Sequence, residues 1–96
     1  MAADVTVYTT QYCGFCERAR ALLRGKNVTF KEIDVEDRPD LRRWLELRSR
    51  QRTVPQVFVN GAPLGGYTDI AALDRSGKLD TLLAVEPSAT DPKLET

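Results

Sequence analysis

The sequence contains no histidine and only two cysteines, and both shortages restrict the chemistry that it can carry. Without histidine, a Cys-His nucleophile pair is impossible, so thiol-protease chemistry within this chain is excluded. A tetrahedral zinc site needs four ligands, and two thiolates cannot supply them without carboxylates or a second chain. The sequence therefore predicts no metal site in the monomer, and a metal or cluster shared across a dimer stays open.

The chain also lacks an excess of charge and any long apolar run. Its 14 basic and 14 acidic residues cancel to a formal net charge of zero, so no bulk field favours nucleic acid or an acidic membrane. No apolar stretch approaches the ~20 residues that span a bilayer, and no basic segment followed by an apolar run opens the sequence. We therefore expect a soluble, cytoplasmic protein that binds neither nucleic acid nor membranes.

The two cysteines, Cys13 and Cys16, lie on a Cys-x-x-Cys spacing within the stretch "YTTQYCGFCERARALL". This spacing suits a redox-active pair, half of a metal site or a structural disulfide. A reducing cytosol disfavours a structural disulfide, and secreted scaffolds of this size normally carry four or more cysteines. Residues three apart on a helix have Cα atoms about 5 to 5.5 Å apart, a separation that disulfide geometry accepts. The spacing therefore favours a pair that closes and opens reversibly.

Hydrophobic periodicity and turn residues predict the order of elements along the chain. The pattern gives a strand at 4–9, a helix at 14–25, a strand at 27–35, a helix at 38–50, a hairpin turning at Asn60-Gly61, and helical segments at 69–75 and 79–83. A strand-helix-strand unit forces a parallel pair, whereas a hairpin adds an antiparallel pair. We therefore expect an α/β fold with a four-stranded mixed sheet flanked by helices on both faces. Residues 1–84 should form one domain, and the polar, proline-bearing residues 85–96 a flexible tail.

The start of the first predicted helix should activate Cys13. If Cys13 is the N-cap residue, the amide N–H groups of Phe15 and Cys16 face its sulfur and, with the helix dipole, favour the thiolate. A thiolate stabilised in this way is a better leaving group, so a mixed disulfide on Cys13 is easily displaced. The arrangement indicates a turnover catalyst rather than a sensor. Gly14 leaves the loop looser than a proline would, and Phe15 is either an exposed aromatic that contacts substrate or a packing residue.

Three ordered motifs, "YCGFC" after a strand, "RTVPQVFVNG" and "GGYTDI", resemble those of the glutaredoxins, small thioredoxin-fold oxidoreductases that use glutathione. The resemblance covers about residues 4–83. It implies a thioredoxin-like fold and an electron-transport role in which Cys13 is the nucleophile and Cys16 resolves protein disulfides. The implied cosubstrate is glutathione, the implied partners are disulfide-containing or glutathionylated proteins, and we expect a monomer.

The resemblance also assigns a glutathione site. The Thr53-Val54-Pro55 triplet corresponds to the family's cis-proline loop, whose exposed backbone could pair with an extended peptide; an ordinary trans proline is the alternative. Thr68 and Asp69 correspond to positions that bind the γ-glutamyl end, although Asp69 also suits a plain first-turn helix acid. Gln51 and Arg52 resemble positions near the glycyl carboxylate, although exposed arginines are often solvated. The predicted glutathione site comprises Gln51, Arg52, Thr53, Val54, Pro55, Gly66, Thr68 and Asp69, with Tyr12, Gly14 and Phe15 beside the cysteines.

Several positions depart from the family pattern. Thr10 stands where many members have a lysine that contacts a carboxylate, Arg50 replaces a frequent glycine, and Tyr67-Thr68 replaces a frequent Cys-Asp pair. The Gly-Phe between the cysteines is similar to that of monothiol, iron-sulfur-carrying glutaredoxins, whose tryptophan-proline motif is absent here. A dimer could ligate a two-iron two-sulfur cluster through Cys13 of each chain and two glutathione thiolates. An iron-sulfur carrier is therefore one alternative, and a redoxin served by another small thiol or by thioredoxin reductase is another.

Overall fold

The structure, a computed structural model, describes residues 2–95. Its elements in chain order are β1 (Val5–Thr9), α1 (Gly14–Gly25), β2 (Phe30–Asp34), α2 (Pro39–Ser49), β3 (Gln56–Val59), β4 (Ala62–Gly65), α3 (Tyr67–Arg75) and α4 (Lys78–Leu83). Every predicted element is present. No helix among the described residues is both long enough and apolar enough to cross a membrane.

The four strands form one mixed sheet in the order β2-β1-β3-β4. β1 pairs in parallel with β2, where Val5 faces Phe30, and antiparallel with β3, where Val5 faces Val59. The β3-β4 hairpin turns at Asn60 and Gly61, both with positive φ, as a tight turn between antiparallel strands requires. The predicted four-stranded mixed sheet is confirmed.

Side chains alternate along the strands, so each face of the sheet has its own hydrophobic core. One face packs against α1, α3 and α4 through Val5, Val7, Ala19, Leu23, Val57, Val59, Ile70, Leu79 and Leu83. The other face packs against α2 through Tyr8, Ile33, Val35, Leu41, Leu45 and Phe58. Helices therefore cover both faces, as predicted. The loop between β1 and α1, which carries Cys13, is anchored because both its flanking elements contribute to these cores.

Two predicted boundaries differ from the structure by more than one residue. β2 begins at Phe30 rather than at residue 27, because the chain makes a left-handed turn at Asn27 (φ 59°) and the first residue of β1, Val5, already pairs with Phe30. α3 begins at Tyr67 rather than at Asp69, with Gly66 as its N-cap residue. This second difference matters for function because it places Thr68 in the first turn of the helix.

Residues 85–95 contact the rest of the structure near both ends of the segment. The Asn60 side-chain amide donates to the Val85 carbonyl oxygen at 2.8 Å, and the buried Tyr8 hydroxyl donates to the Glu95 carbonyl oxygen at 2.7 Å. Leu94 packs on the core beneath α2. The domain at 1–84 and the flexibility of 85–96 stay predictions, and their end residues, Met1 and Thr96, lie outside the described part of the chain.

Candidate active site

Cys13 is the N-cap residue of α1, as predicted from the sequence. Its extended backbone (φ −112°, ψ 110°) ends the loop that follows β1, and its sulfur accepts a hydrogen bond from the Cys16 amide at 3.2 Å. Within residues 2–95 no such bond comes from Phe15, so only one of the two expected amide donors contacts the sulfur. The Cys13 sulfur therefore lies at the positive end of the α1 dipole, next to one N–H donor.

The two cysteines occupy different environments. Cys13 is partly exposed, whereas Cys16 lies one turn into α1 with none of its surface accessible. Burial raises the pKa of the Cys16 thiol well above its usual range, and the hydrogen bond with Cys13 and the charge on Cys13 raise that pKa further. The geometry therefore gives one accessible sulfur and one buried, protonated thiol.

The loop before β3 approaches Cys13 from the opposite side. The Val54-Pro55 peptide bond is cis, which confirms the predicted conformation. The Cys13 thiol lies 3.7 Å from the Val54 carbonyl oxygen, within the longer contact distance expected of a sulfur donor. Val54 is partly exposed beside Cys13.

A groove of about 330 Å³ begins at this loop and ends at α3, which is a volume typical of small-molecule sites. Its lining residues are Phe15, Gln51, Thr53, Val54, Pro55, Gly66, Tyr67, Thr68 and Asp69. Seven of the eight residues assigned to glutathione from the resemblance line this single groove. The eighth, Arg52, does not line it: its side chain is 91% exposed and pairs with Glu46 at 3.1 Å.

The glycine pair lets α3 approach the groove closely. Gly65 has a φ of 108°, and a Cβ added there would stand 2.2 Å from a carboxylate oxygen of Asp69. A Cβ added at Gly66 would stand 3.3 Å from the Pro55 carbonyl oxygen, so this N-cap residue packs directly on the cis-proline loop. A side chain at Gly65 would displace the Asp69 side chain, and a side chain at Gly66 would require a shift of a few tenths of an ångström between the α3 N-terminus and the cis-proline loop.

Asp69 has a structural role in the helix start. Its Oδ2 atom accepts from the Gly66 amide at 3.0 Å and from the Gln51 side-chain amide at 3.2 Å. The first of these bonds caps α3, which is the plain helix role considered from the sequence. The amides in the first turn of α3 have no partner inside the helix, and together with the helix dipole they favour an anion in the groove.

Of the three residues predicted beside the cysteines, only Phe15 lines the groove. Phe15 is 52% exposed, lines the groove and lies 6.3 Å from Tyr67 between ring centroids, so it is available for contact. Tyr12 is fully exposed, with a positive φ of 55°, and does not line the groove. A Cβ added at Gly14 would meet no atom within 4 Å outside the neighbouring residues, so the space around Gly14 is open.

Gln56 is a site residue that the sequence motifs did not single out. It is fully buried, and its side-chain amide donates to the Gln51 Oε1 atom at 2.8 Å and to the Thr53 carbonyl oxygen at 2.9 Å. Because Gln51 in turn donates to Asp69, one hydrogen-bonded chain joins the cis-proline loop to α3. The signal was visible in "VPQVFV", where one polar residue interrupts a buried apolar strand.

The arrangement of a cysteine pair at a helix start, a cis-proline loop and a glycine pair is shared with known proteins. A family model described as glutaredoxin matches residues 5–63. The chain is 44% identical over 80 residues to a glutaredoxin of Pseudomonas aeruginosa, which covers 83% of this chain and 95% of that protein. It is 42% identical over 81 residues to glutaredoxin 3 of Escherichia coli K12, covering 84% and 98% of the two chains. The chain belongs to the glutaredoxin family.

Solved structures agree with this assignment. This glutaredoxin superposes on the buckwheat glutaredoxin-glutathione complex with a TM-score of 0.78 at 30% identity, covering 84% of this chain and 76% of that one. The glutaredoxin from Brucella melitensis gives a TM-score of 0.77 at 44% identity, covering 85% and 89% of the two chains. The fold is therefore thioredoxin-like, and family membership supports a thiol-disulfide oxidoreductase.

Proposed function

We propose that this glutaredoxin is a glutathione-dependent enzyme that reduces protein disulfides and glutathione mixed disulfides. The observation that carries the proposal is the groove itself, which extends from the Val54 loop beside Cys13 to the N-terminus of α3. Glutathione is a thiol with a carboxylate at each end, so it suits a groove with the nucleophile at one side and helix amides at the other. The relative crystallised as a glutathione complex supports the same ligand.

In the reaction with a glutathionylated protein, the Cys13 thiolate attacks the glutathione sulfur. The bond between that sulfur and the protein sulfur breaks, and the departing protein thiolate takes up a proton. The Cys13-glutathione disulfide is then attacked by a second glutathione thiolate, which releases oxidised glutathione and returns Cys13 as a thiolate. The Cys16 amide stabilises Cys13 whenever it leaves as a thiolate, which speeds this last step.

In the reaction with a protein disulfide, Cys13 forms a mixed disulfide with one protein sulfur, and the other leaves as a thiol after protonation. Cys16 then attacks the Cys13 sulfur, its proton passes to the departing protein thiolate, and a Cys13-Cys16 disulfide remains. Two glutathione molecules reduce that disulfide to restore the dithiol. Formation of the mixed disulfide removes the Cys13 charge and hydrogen bond that raise the Cys16 pKa, so Cys16 loses its proton more easily at the step that needs it.

Within the groove, the proposal assigns the γ-glutamyl carboxylate to the first-turn amides of α3 near Thr68 and the ammonium group to Asp69. The glycyl carboxylate lies toward Gln51, and the peptide backbone of glutathione runs along Val54. Arg52 reaches the glycyl end only by leaving Glu46, and an exposed ion pair of that kind is weak, about 0 to 1 kcal/mol. We further propose a monomeric, cytoplasmic enzyme.

A comparison of reductants tests the proposal. Turnover of one glutathionylated peptide is measured with glutathione and its reductase, with other small thiols, and with thioredoxin reductase. We expect turnover with glutathione only, and none for Cys13→Ser with any reductant. Equal rates with another thiol or with thioredoxin reductase would contradict the glutathione assignment while leaving the oxidoreductase class intact.

The open space at Gly14 favours a second candidate, an iron-sulfur carrier. No cluster of three or more metal-binding side chains occurs in residues 2–95, so Cys13 would need sulfur ligands from a second chain and from glutathione. Purification without oxygen separates the two functions. A dimer with visible absorption that Cys13→Ser removes would support the carrier, and a colourless, active monomer would support the reductase.

A further inference from the structure

Positive charge is concentrated in one segment of the chain. Residues 38–52 hold six arginines and two carboxylates, a formal charge of +4, whereas the other 81 residues hold eight basic and twelve acidic side chains, a formal charge of −4. We call the side chains of Arg42, Arg43, Arg48, Arg50 and Arg52 the arginine surface. They lie on α2 and on the loop that joins it to the cis-proline turn.

The charge of the arginine surface is hardly neutralised within the described part of the chain. Its one ion pair joins Arg52 to Glu46, whereas Arg48 lies over the Trp44 ring at 5.7 Å. Arg43 and Arg50 are exposed and have no ion pair within residues 2–95. Two cations in and just after α1, by contrast, each form ion pairs with carboxylates. Arg20 contacts two carboxylates, and Lys26 contacts two more.

The arginine surface borders the nucleophile. The Arg42 guanidinium donates to the Arg52 carbonyl oxygen at 3.3 Å, which fixes the loop against α2. Two residues further on, the Val54 carbonyl oxygen lies 3.7 Å from the Cys13 sulfur. A protein joined to Cys13 through a mixed disulfide therefore lies next to the Arg52 end of the arginine surface.

Carboxylates border a different loop, the one between β1 and α1 that carries Cys13. Glu36 accepts a hydrogen bond from the Gln11 amide at 3.1 Å, two residues before Cys13. The stretch at 32–37 contains four carboxylates. A protein with a local acidic segment can satisfy the arginines and avoid these carboxylates, whereas a long polyanion such as nucleic acid would meet both.

We propose that the arginine surface recognises an acidic segment that flanks the reactive cysteine of protein substrates. The inference rests on the proposed function, because the substrate must be a disulfide held at Cys13. Complementary charge of this kind raises association rates by about 10- to 1,000-fold at low salt and falls steeply as salt is added. The surface therefore selects among protein substrates and leaves the exchange chemistry unchanged.

Two glutathionylated peptides of equal length test this inference. Each has a single cysteine, flanked on both sides by aspartates in one peptide and by serines in the other. The measured quantity is kcat/KM with glutathione at about 20 mM and about 500 mM salt, a range over which screening of exposed charges becomes nearly complete. We expect a preference of about tenfold for the aspartate peptide at low salt, and none at high salt.

Charge reversal at two exposed positions supplies the variants. Arg43→Glu with Arg50→Asp changes the arginine surface, and aspartate tolerates the left-handed backbone at position 50 (φ 61°). Arg75→Glu with Lys78→Glu is the matched control, because it makes the same charge change at the far end of α3 and the start of α4. The first variant should lose the preference and the second should keep it, with serine-peptide turnover unchanged in both.

The outcomes separate the inference from the proposed function. Failure of the unaltered protein to turn over the serine peptide would refute the function itself. Turnover without an aspartate preference, or equal loss of that preference in the control, would overturn the inference. Binding of a labelled single-stranded oligonucleotide that the first variant abolishes would assign the surface to nucleic acid and overturn it too. If the reversal impairs folding, Arg43→Gln with Arg50→Asn should show a smaller loss in the same direction.

Discussion

Replacement of Gln56 by leucine should separate stability from substrate binding. The change deletes two hydrogen bonds from the side-chain amide, each worth about 0.5 to 1.5 kcal/mol. It also removes the Oε1 atom, a buried oxygen without a partner in the described structure, whose burial costs about 1 to 3 kcal/mol. The two effects nearly cancel, so the free energy of unfolding should change by no more than about 1 kcal/mol, or roughly 4 to 8 °C in Tm.

The same replacement should weaken glutathione binding. Without Gln56, the Gln51 side chain loses the bond that orients it toward Asp69, and both residues line the groove. A loss of about 1 kcal/mol in binding corresponds to a roughly fivefold rise in KM for a glutathionylated peptide, with kcat unchanged because Cys13 is untouched.

Thermal unfolding and steady-state kinetics on the purified variant measure both quantities. Gln56→Glu is the control, because it keeps the shape but buries a charge and should lower Tm much more. A fall of more than about 15 °C for leucine would show that the amide bonds outweigh the unpaired oxygen. An unchanged KM would show that the chain of amides does not position Gln51.

Three further predictions concern stability. Arg50→Gly should raise the free energy of unfolding by about 0.5 to 1 kcal/mol in denaturant titrations, because position 50 has a φ of 61° and glycine adopts this backbone without strain; Arg50→Ala should give no gain. Burial, with a smaller effect from Glu95, raises the pKa of Tyr8 from 10.0 to about 12. The contribution of the neutral Tyr8 side chain to the free energy of unfolding should therefore be fully present below pH 10 and be lost as the pH rises toward 12. Tyr8→Phe should remove this loss from a curve of Tm against pH. Deletion of residues 85–96 should lower the free energy of unfolding by about 2 kcal/mol, because the packing of Leu94 and the hydrogen bond of the Tyr8 hydroxyl are lost. Peptide turnover should stay within twofold because the groove is untouched. An unchanged Tm would show that the tail contributes nothing to stability.

The sequence predicted the parts of the structure that depend on local pattern. Alternation in β1, helical spacing in α1 and the Asn60-Gly61 turn each specify an element without reference to the rest of the chain. The cis peptide before Pro55 came from family resemblance, since local pattern favours the trans form. The start of β2 could not be predicted in this way, because it depends on which residue of β1 lies opposite it.

Contacts between distant segments of the chain could not be predicted from the sequence either. Gln56 and Asp69 belong to one hydrogen-bonded chain only because α3 packs on the cis-proline loop at Gly66. Arg52 was assigned to the groove by its place beside Gln51, yet its side chain turns outward to Glu46. The composition of the tail shows only that it is polar. The hydrogen bond from the Tyr8 hydroxyl to the Glu95 carbonyl oxygen in this tail depends on the folded position of β1, so it could not be predicted.

The division of labour between the two cysteines is the central claim, and Cys16→Ser tests it most directly. Turnover of a glutathionylated peptide needs only the accessible sulfur of Cys13, so the variant should keep most of that activity. Reduction of a protein disulfide needs the buried thiol to release the mixed disulfide, so this activity should fall at least about tenfold. Loss of both activities, or unchanged reduction of the protein disulfide, would contradict the account.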